Sequence, residues 1–144
     1  MKIVDLNILL YAINAEAAQH QSARQWWERT VNDGEEVIGL PWVVLLGFLR
    51  LSTNPRVFPR PLTPDAAAAK VDTWLALDNV RVVREKDEHW EVLKSLLATS
   101  GAAGNLTTDA HLAALALTHD AVLVSSDTDF ARFRGLRLEN ALRG

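Results

Sequence analysis

Residues 1–13 read MKIVDLNILLYAI, and the fold turns on how this stretch is parsed. Met1–Val4 is a short apolar run with β-branched residues, which predicts a buried strand. Asp5 ends the run, and Asn7 is placed to cap a helix through Leu9, Leu10 and Ala12. A carboxylate therefore stands where a buried strand becomes a helix. In open α/β sheets ligands bind outside the carboxyl ends of the strands, so Asp5 occupies the position of a site residue. An Asp at a turn also serves simply as a helix starter, and the rest of the chain must decide between the two readings.

Downstream, the same alternation recurs. Short apolar strands are predicted at Val37–Leu40, Val80–Val83, Ala121–Val124 and Leu136–Glu139. Helical spacing marks His20–Thr30, Pro41–Leu51, Pro64–Leu77, Glu88–Thr99 and Asn105–Thr118, with a short helix to about Arg134. Thr63 caps the helix that Pro64 opens. The side facing the core in Glu88–Thr99 is read as Trp90, Val92, Leu93, Leu96 and Leu97, with His20 and His89 on polar faces. Strands alternating with helices predict an α/β fold, with a mainly parallel central sheet of four or five strands flanked by helices.

With 144 residues the chain fits a single domain, 1–144, able to bury a sizeable core. The absence of cysteine excludes a disulfide framework and thiolate metal sites. The N-terminus lacks a signal-peptide layout, which fits a cytoplasmic protein. The longest nearly apolar run, Val37–Leu49, is interrupted by Pro41 and falls short of the ~18–20 residues a membrane span needs, so no membrane partner is expected. A net charge of −3 argues against sequence-blind affinity for a polyanion. Locally, Arg50, Arg56 and Arg60 cluster around a proline-rich surface loop, and Arg132, Arg134 and Arg137 cluster near the end of the chain. Arginine suits bidentate contact with phosphate.

Three apolar stretches each meet a turn that carries Asp: Asp5, Asp109 and the pair Asp127/Asp129. Parallel strands place their carboxyl ends on one side of a sheet, so these groups can converge. Singly, each Asp serves a cap or a helix dipole. Jointly they would repel unless something neutralises them. Clustered carboxylates without cysteine or patterned histidine suit Mg²⁺ or Mn²⁺ rather than Zn²⁺. Such a site activates water and stabilises charge on a phosphodiester. His111, two residues after Asp109, is the one histidine near it in sequence, and Ser125 and Ser126 lack a nucleophile-elbow context. A phosphatase reading of Asp127-Thr128-Asp129 would want that motif after the first strand and a helping lysine, and neither is present.

The ordered segments VDLNILL (4–10), WVVLLGFLRLSTNPRVF (42–58), NLTTDAHLA (105–113) and SDTDF (126–130) resemble the PIN-domain family, in particular the VapC-type toxins of bacterial toxin–antitoxin pairs. The resemblance spans essentially the whole chain. It implies a PIN-like α/β/α sandwich and a Mg²⁺- or Mn²⁺-dependent endoribonuclease acting on RNA of the tRNA or rRNA class. It also implies a homodimer and a VapB-type antitoxin that blocks the site. Carried over, Asp5, Asp109 and Asp127 are the catalytic and metal-binding positions, with Asp129 a further ligand whose role varies. Asn7 and Thr108 would stand behind the ligands, and Arg50, Arg56 and Arg60 are candidates for holding RNA. An acidic pocket would also attract an arginine from an inhibitory tail, and apolar helices such as Val43–Leu51 leave room for a partner helix.

One departure stands out. The family usually carries Glu in a context like L-L-E-F-L-R, and here that position is Gly47. The alternative this supports is a catalytically weak PIN-fold module that pairs with an antitoxin or RNA. Retained, mutually repelling carboxylates oppose it.

Overall fold

A computed structural model describes residues 1–143. The elements are β1 (Lys2–Val4), α1 (Leu6–Ile13), α2 (His20–Asp33), β2 (Ile38–Pro41), α3 (Trp42–Ser52), α4 (Pro64–Leu75), β3 (Val80–Val83), α5 (His89–Ser100), α6 (Thr107–Thr118), β4 (Val122–Val124) and β5 (Arg137–Glu139). Short 3₁₀ turns occupy Gly104–Leu106 and Thr128–Arg132. All five strands are parallel, in the order β3-β2-β1-β4-β5. The opening stretch thus supplies the central strand.

Parallel crossovers are right-handed. β1→β2→β3 steps outward in one direction, which puts α1 to α4 on one face; β3→β4 returns across the sheet and puts α5 and α6 on the other. The packing agrees: α1 meets α2 and α3, α3 meets α4, and α5 meets α6. The core lies on both faces, from Ile3, Val4, Ile38, Leu40 and Leu123 of the strands to Leu9, Leu45, Phe48 and the alanine-rich α6, all fully buried or nearly so. From β1 one connection leads to β2, while β4 on its other side leads on to β5. The strand order therefore reverses between β1 and β4, which is where a doubly wound sheet opens a crevice.

The structure corrects several local expectations. Asn7 does not cap α1: Asp5 does, its Oδ1 accepting the Leu6 amide at 2.7 Å. Pro41 closes β2 and precedes α3 instead of opening it. Trp90 faces solvent, 59% exposed, while His89 beside it is buried, the reverse of the expected faces. The α5 start explains this, because His89 is held inward by a 2.9 Å hydrogen bond between its Nε2 and His111 Nδ1 on α6. Thr63 does cap α4, accepting the Ala66 amide at 3.1 Å. Among the described residues no helix is long and apolar enough to cross a membrane.

Candidate metal centre

The site lies at the carboxyl ends of β1 and β4. β1 delivers Asp5, and the Asp5 amide donates to Val124 O at 2.9 Å, which locks the turn to β4. β4 runs into Ser125 and then Asp127, whose Oδ1 accepts the Asp129 amide at 2.8 Å and so caps the Thr128–Arg132 turn. Fully buried Phe130 and nearly buried Phe133 pin that turn to the core. The first turn of α6 brings in Asp109. Oxygens of Asp109, Asp127 and Asp129 all lie within 4.8 Å of one another. Asp5 adjoins this trio rather than belonging to it.

Ser125 is the residue that sequence reasoning passed over. Its buried hydroxyl donates to Asp5 Oδ2 at 2.7 Å. The same oxygen accepts the Asp127 amide at 3.0 Å and the Asn7 side-chain amide at 3.4 Å. One hydroxyl therefore ties together both strand ends and α1. Its single proton is spent on Asp5, which fixes the Asn7 orientation: Nδ2 faces Ser125, and Oδ1 is buried with no partner. The only sequence signal was a serine two residues before Asp127 at a strand end, and serine is too common in turns to stand out.

The electrostatics are strained in one direction. Burial, then the charges of Asp5, Asp127 and Asp129, push the Asp109 carboxyl up to about 6, with Arg132 opposing. Burial also raises Asp5; the Ser125 hydroxyl and the Leu6 amide pull it back, and Asp127 adds to the rise. Burial leads both shifts, and the neighbouring carboxylates add to it in the same direction. The carboxylate donors gathered here are all oxygens. That set fits a hard divalent cation and does not suit a soft one.

The other expected residues are distributed differently. Thr108 is exposed on α6 beside Asp109. Arg50 ends α3, and Arg56 and Arg60 lie in the following loop, all exposed. Arg60 Nε pairs with Glu16 at 3.7 Å, past the far end of α1 from Asp5. Eight helical residues, about 12 Å, separate that end from the carboxylates. The cation that does reach them is Arg132, 4.0 Å from Asp129. His111 contacts His89 and lies 3.5 Å from Glu85, so it serves the α5–α6 interface.

Gly47 is buried on α3 where that helix crosses the start of α1. A Cβ there would lie 2.6 Å from Leu6 Cδ2. The space a side chain would enter is filled by the residue that follows Asp5.

Ser125→Ala is expected to lower divalent-cation affinity by roughly 10–100-fold, the usual effect of removing a ligand's hydrogen-bond partner. Isothermal titration with Mn²⁺ measures it; an unchanged affinity would show that Asp5 and Asp127 hold their places without the hydroxyl.

Comparison with known proteins places the chain in a family. A family model described as PIN domain matches residues 2–136. Ribonuclease VapC37 of Mycobacterium tuberculosis (strain ATCC 25618 / H37Rv) is 44% identical over 137 residues, covering 95% of this chain and 94% of the relative. Ribonuclease VapC33 of the same strain is 44% identical over 143 residues, covering 99% of each. Among solved structures, VapBC2 from Rickettsia felis bound to a promoter DNA fragment has a chain that superposes with a TM-score of 0.70 at 21% identity, covering 96% of this chain and 97% of that one. VapC20 of Mycobacterium tuberculosis, a sarcin-ricin loop cleaving toxin, gives 0.65 at 22% identity, covering 95% and 99%. At those identities the two structures speak for the fold alone.

Proposed function

The chain belongs to the PIN-domain family, and from that premise we propose that it is a Mg²⁺- or Mn²⁺-dependent endoribonuclease, the toxin of a toxin–antitoxin pair. One observation carries the reading: four aspartates from three separate segments converge at the sheet's reversal point, with Asp109 raised to about 6 by burial and then by the charges of its neighbours. A fold has no structural use for that repulsion, whereas a cation site does. The 44% identical relatives named as ribonucleases support the same reading.

In this proposal Asp109, Asp127 and Asp129 hold the ion, and Asp5 completes the ligand set. Bound there, the cation supplies an activated water at neutral pH and charge neutralisation for the phosphodiester. Asp5 arrives already oriented, because each of its oxygens accepts one hydrogen bond and keeps a lone pair free. Ser125 holds the spacing between Asp5 and Asp127, and the Asn7 side-chain amide donates to the same hydroxyl. The substrate is RNA, in the tRNA or rRNA class, approached at unpaired nucleotides.

The proposed partner is a VapB-type antitoxin, in the cytoplasm. A cleft of about 430 Å³ between α1, α2 and α4, with Ile13, Trp27 and Leu62 beside Arg24, Glu28 and Lys70 in its lining, offers an amphipathic seat for a partner helix. On α3, Val44, Leu45 and Phe48 are spent on the core, which leaves Trp42 and Leu46, one turn apart, on the surface. That pair suits the proposed homodimer.

The test is RNA cleavage by the purified chain, freed of any co-purifying partner, with Mg²⁺, with Mn²⁺ and with EDTA, beside Asp5→Ala. Discrete cleavage that needs metal and disappears in the variant is expected. Cleavage surviving in EDTA or in Asp5→Ala would sink the proposed site. No cleavage across several RNAs, with the fold intact, would overturn the enzymatic reading.

A further inference from the structure

An acidic nuclease site poses a problem for its own substrate, since RNA brings further negative charge. Arg132 answers it. Among the described residues it is the one cation paired with any of the four aspartates. Its backbone is rigid, because Phe130 and Phe133 on either side are buried and their rings sit 6.2 Å apart. Its Nε donates to the Asp129 carbonyl at 3.2 Å, which sets the plane of the guanidinium. Its Nη2 is 4.0 Å from Asp129 Oδ1, well beyond the 2.7–2.9 Å of a charge-assisted hydrogen bond. The Nη groups are therefore aimed at the carboxylate edge but left uncommitted. The loose ion pair is partly exposed and contributes little that a ligand would have to displace. A guanidinium fixed in plane, with free N–H groups, is matched to two oxygens of a phosphate.

We propose that Arg132 is the phosphate clamp of the site, holding a backbone phosphate of single-stranded RNA beside the aspartates while its Nε stays anchored on Asp129. The inference rests on the ribonuclease reading for its substrate and adds the residue that positions it. It also moves RNA contact from Arg50, Arg56 and Arg60, of which Arg60 pairs with Glu16 past the far end of α1, to the rim of the metal centre.

The test uses the full chain, with Ca²⁺ replacing Mg²⁺, and measures binding of an unstructured RNA oligonucleotide at several salt concentrations for wild type, Arg132→Gln, Arg132→Lys and Arg134→Gln. Arg134→Gln removes the same charge from an exposed neighbour. Arg132→Gln is expected to weaken binding roughly tenfold and to flatten the log K against log salt slope by about 0.7, the value for one phosphate contact on a single strand. Arg132→Lys should restore the slope but not the affinity, because a lysine cannot reproduce the fork. Ca²⁺ binding itself should tighten in Arg132→Gln, since a competing cation has gone. That opposite sign separates a clamp from a mere prop for Asp129, whose loss would weaken the metal too. RNA affinity within twofold of wild type, an equal loss in Arg134→Gln, a weakened metal site, or a wild-type chain that does not bind the RNA would each overturn the proposal. Cleavage assays with Mg²⁺ keep the two readings apart: Arg132-dependent binding without turnover removes the nuclease and leaves the clamp, and turnover indifferent to Arg132→Gln does the reverse.

Discussion

Asp109→Asn is expected to reduce metal-dependent RNA cleavage by at least about a hundredfold and, at the same time, to make the metal-free protein more heat-stable at neutral pH. The first effect follows from the proposed role of Asp109 as a ligand, given that even the hydrogen-bond partners of metal ligands are worth 10–100-fold. The second follows from linkage. The folded-state value of Asp109 is raised from 3.8 to about 6, by burial first and then by Asp5, Asp127 and Asp129. A carboxyl raised on folding contributes stability that is fully present below its unfolded value and is lost as pH rises through the folded one. The window is therefore pH 4 to about 6, and at pH 7 the ionised group works against the fold. Asparagine cannot ionise, so the penalty disappears. For wild type, the same logic has the metal-free melting temperature falling between pH 4 and about 6 from this group, and metal affinity rising across the same interval as the proton leaves. Thermal melts with and without Mn²⁺ across that range read both. If Asp109→Asn melts no higher than wild type in EDTA at pH 7, or still responds to Mn²⁺ as wild type does, Asp109 is not the strained ligand described above.

The first four strands were legible because they are runs of three or four residues rich in Val, Ile and Leu, too short for a helix and set between turn signals and helical patterns. Val80–Val83 is recovered residue for residue. The central place of the first strand also follows from its composition: Ile3 and Val4 are apolar on successive positions, which only a strand buried on both faces tolerates. Faces and caps were harder. Trp90 outweighs His89 on any hydropathy count, yet the bond from His89 to His111 across α5 and α6 turns the histidine inward, and no local pattern encodes a partner 22 residues away. Asp5 and Asn7 compete for one cap, and the winner depends on the Asp5 amide being tied to Val124, 119 positions along the chain. At the site, Asp5 and Asp127 announce themselves through their position after strands, and Asp109 through its place in the first turn of a helix. Ser125 does not, because its role depends on one hydroxyl meeting Asp5, Asp127 and Asn7 together. Arg132 was visible as part of a basic cluster, but only the buried phenylalanines around it reveal which arginine is aimed at the carboxylates.

The position of Gly47 yields the other large effect. Gly47→Glu is expected to destabilise the metal-free protein by about 3 kcal/mol or more, on the scale of an uncompensated buried charge, or roughly 10 °C in melting temperature for a chain of this size. Two causes add. The new Cβ must displace the Leu6 side chain, whose δ-methyl stands 2.6 Å away. A further carboxylate would also join a cluster that already holds Asp109 far above its ordinary value. Because Leu6 directly follows Asp5, a glutamate long enough to pass it arrives beside the proposed ligands. The added charge should then be worth more to a cation than to the empty fold, so the gain in melting temperature on adding Mn²⁺ should exceed that of wild type. Trimming the obstacle in Gly47→Glu/Leu6→Ala should widen that gain further, since the glutamate no longer has to push past a methyl group. Such a result would make glycine at this position a choice of close packing between α1 and α3 over a fifth carboxylate. A double variant that melts low and responds to Mn²⁺ no more than wild type would mean that position 47 faces the helix interface alone, and that the metal centre is built from Asp5, Asp109, Asp127 and Asp129 without any vacancy to fill.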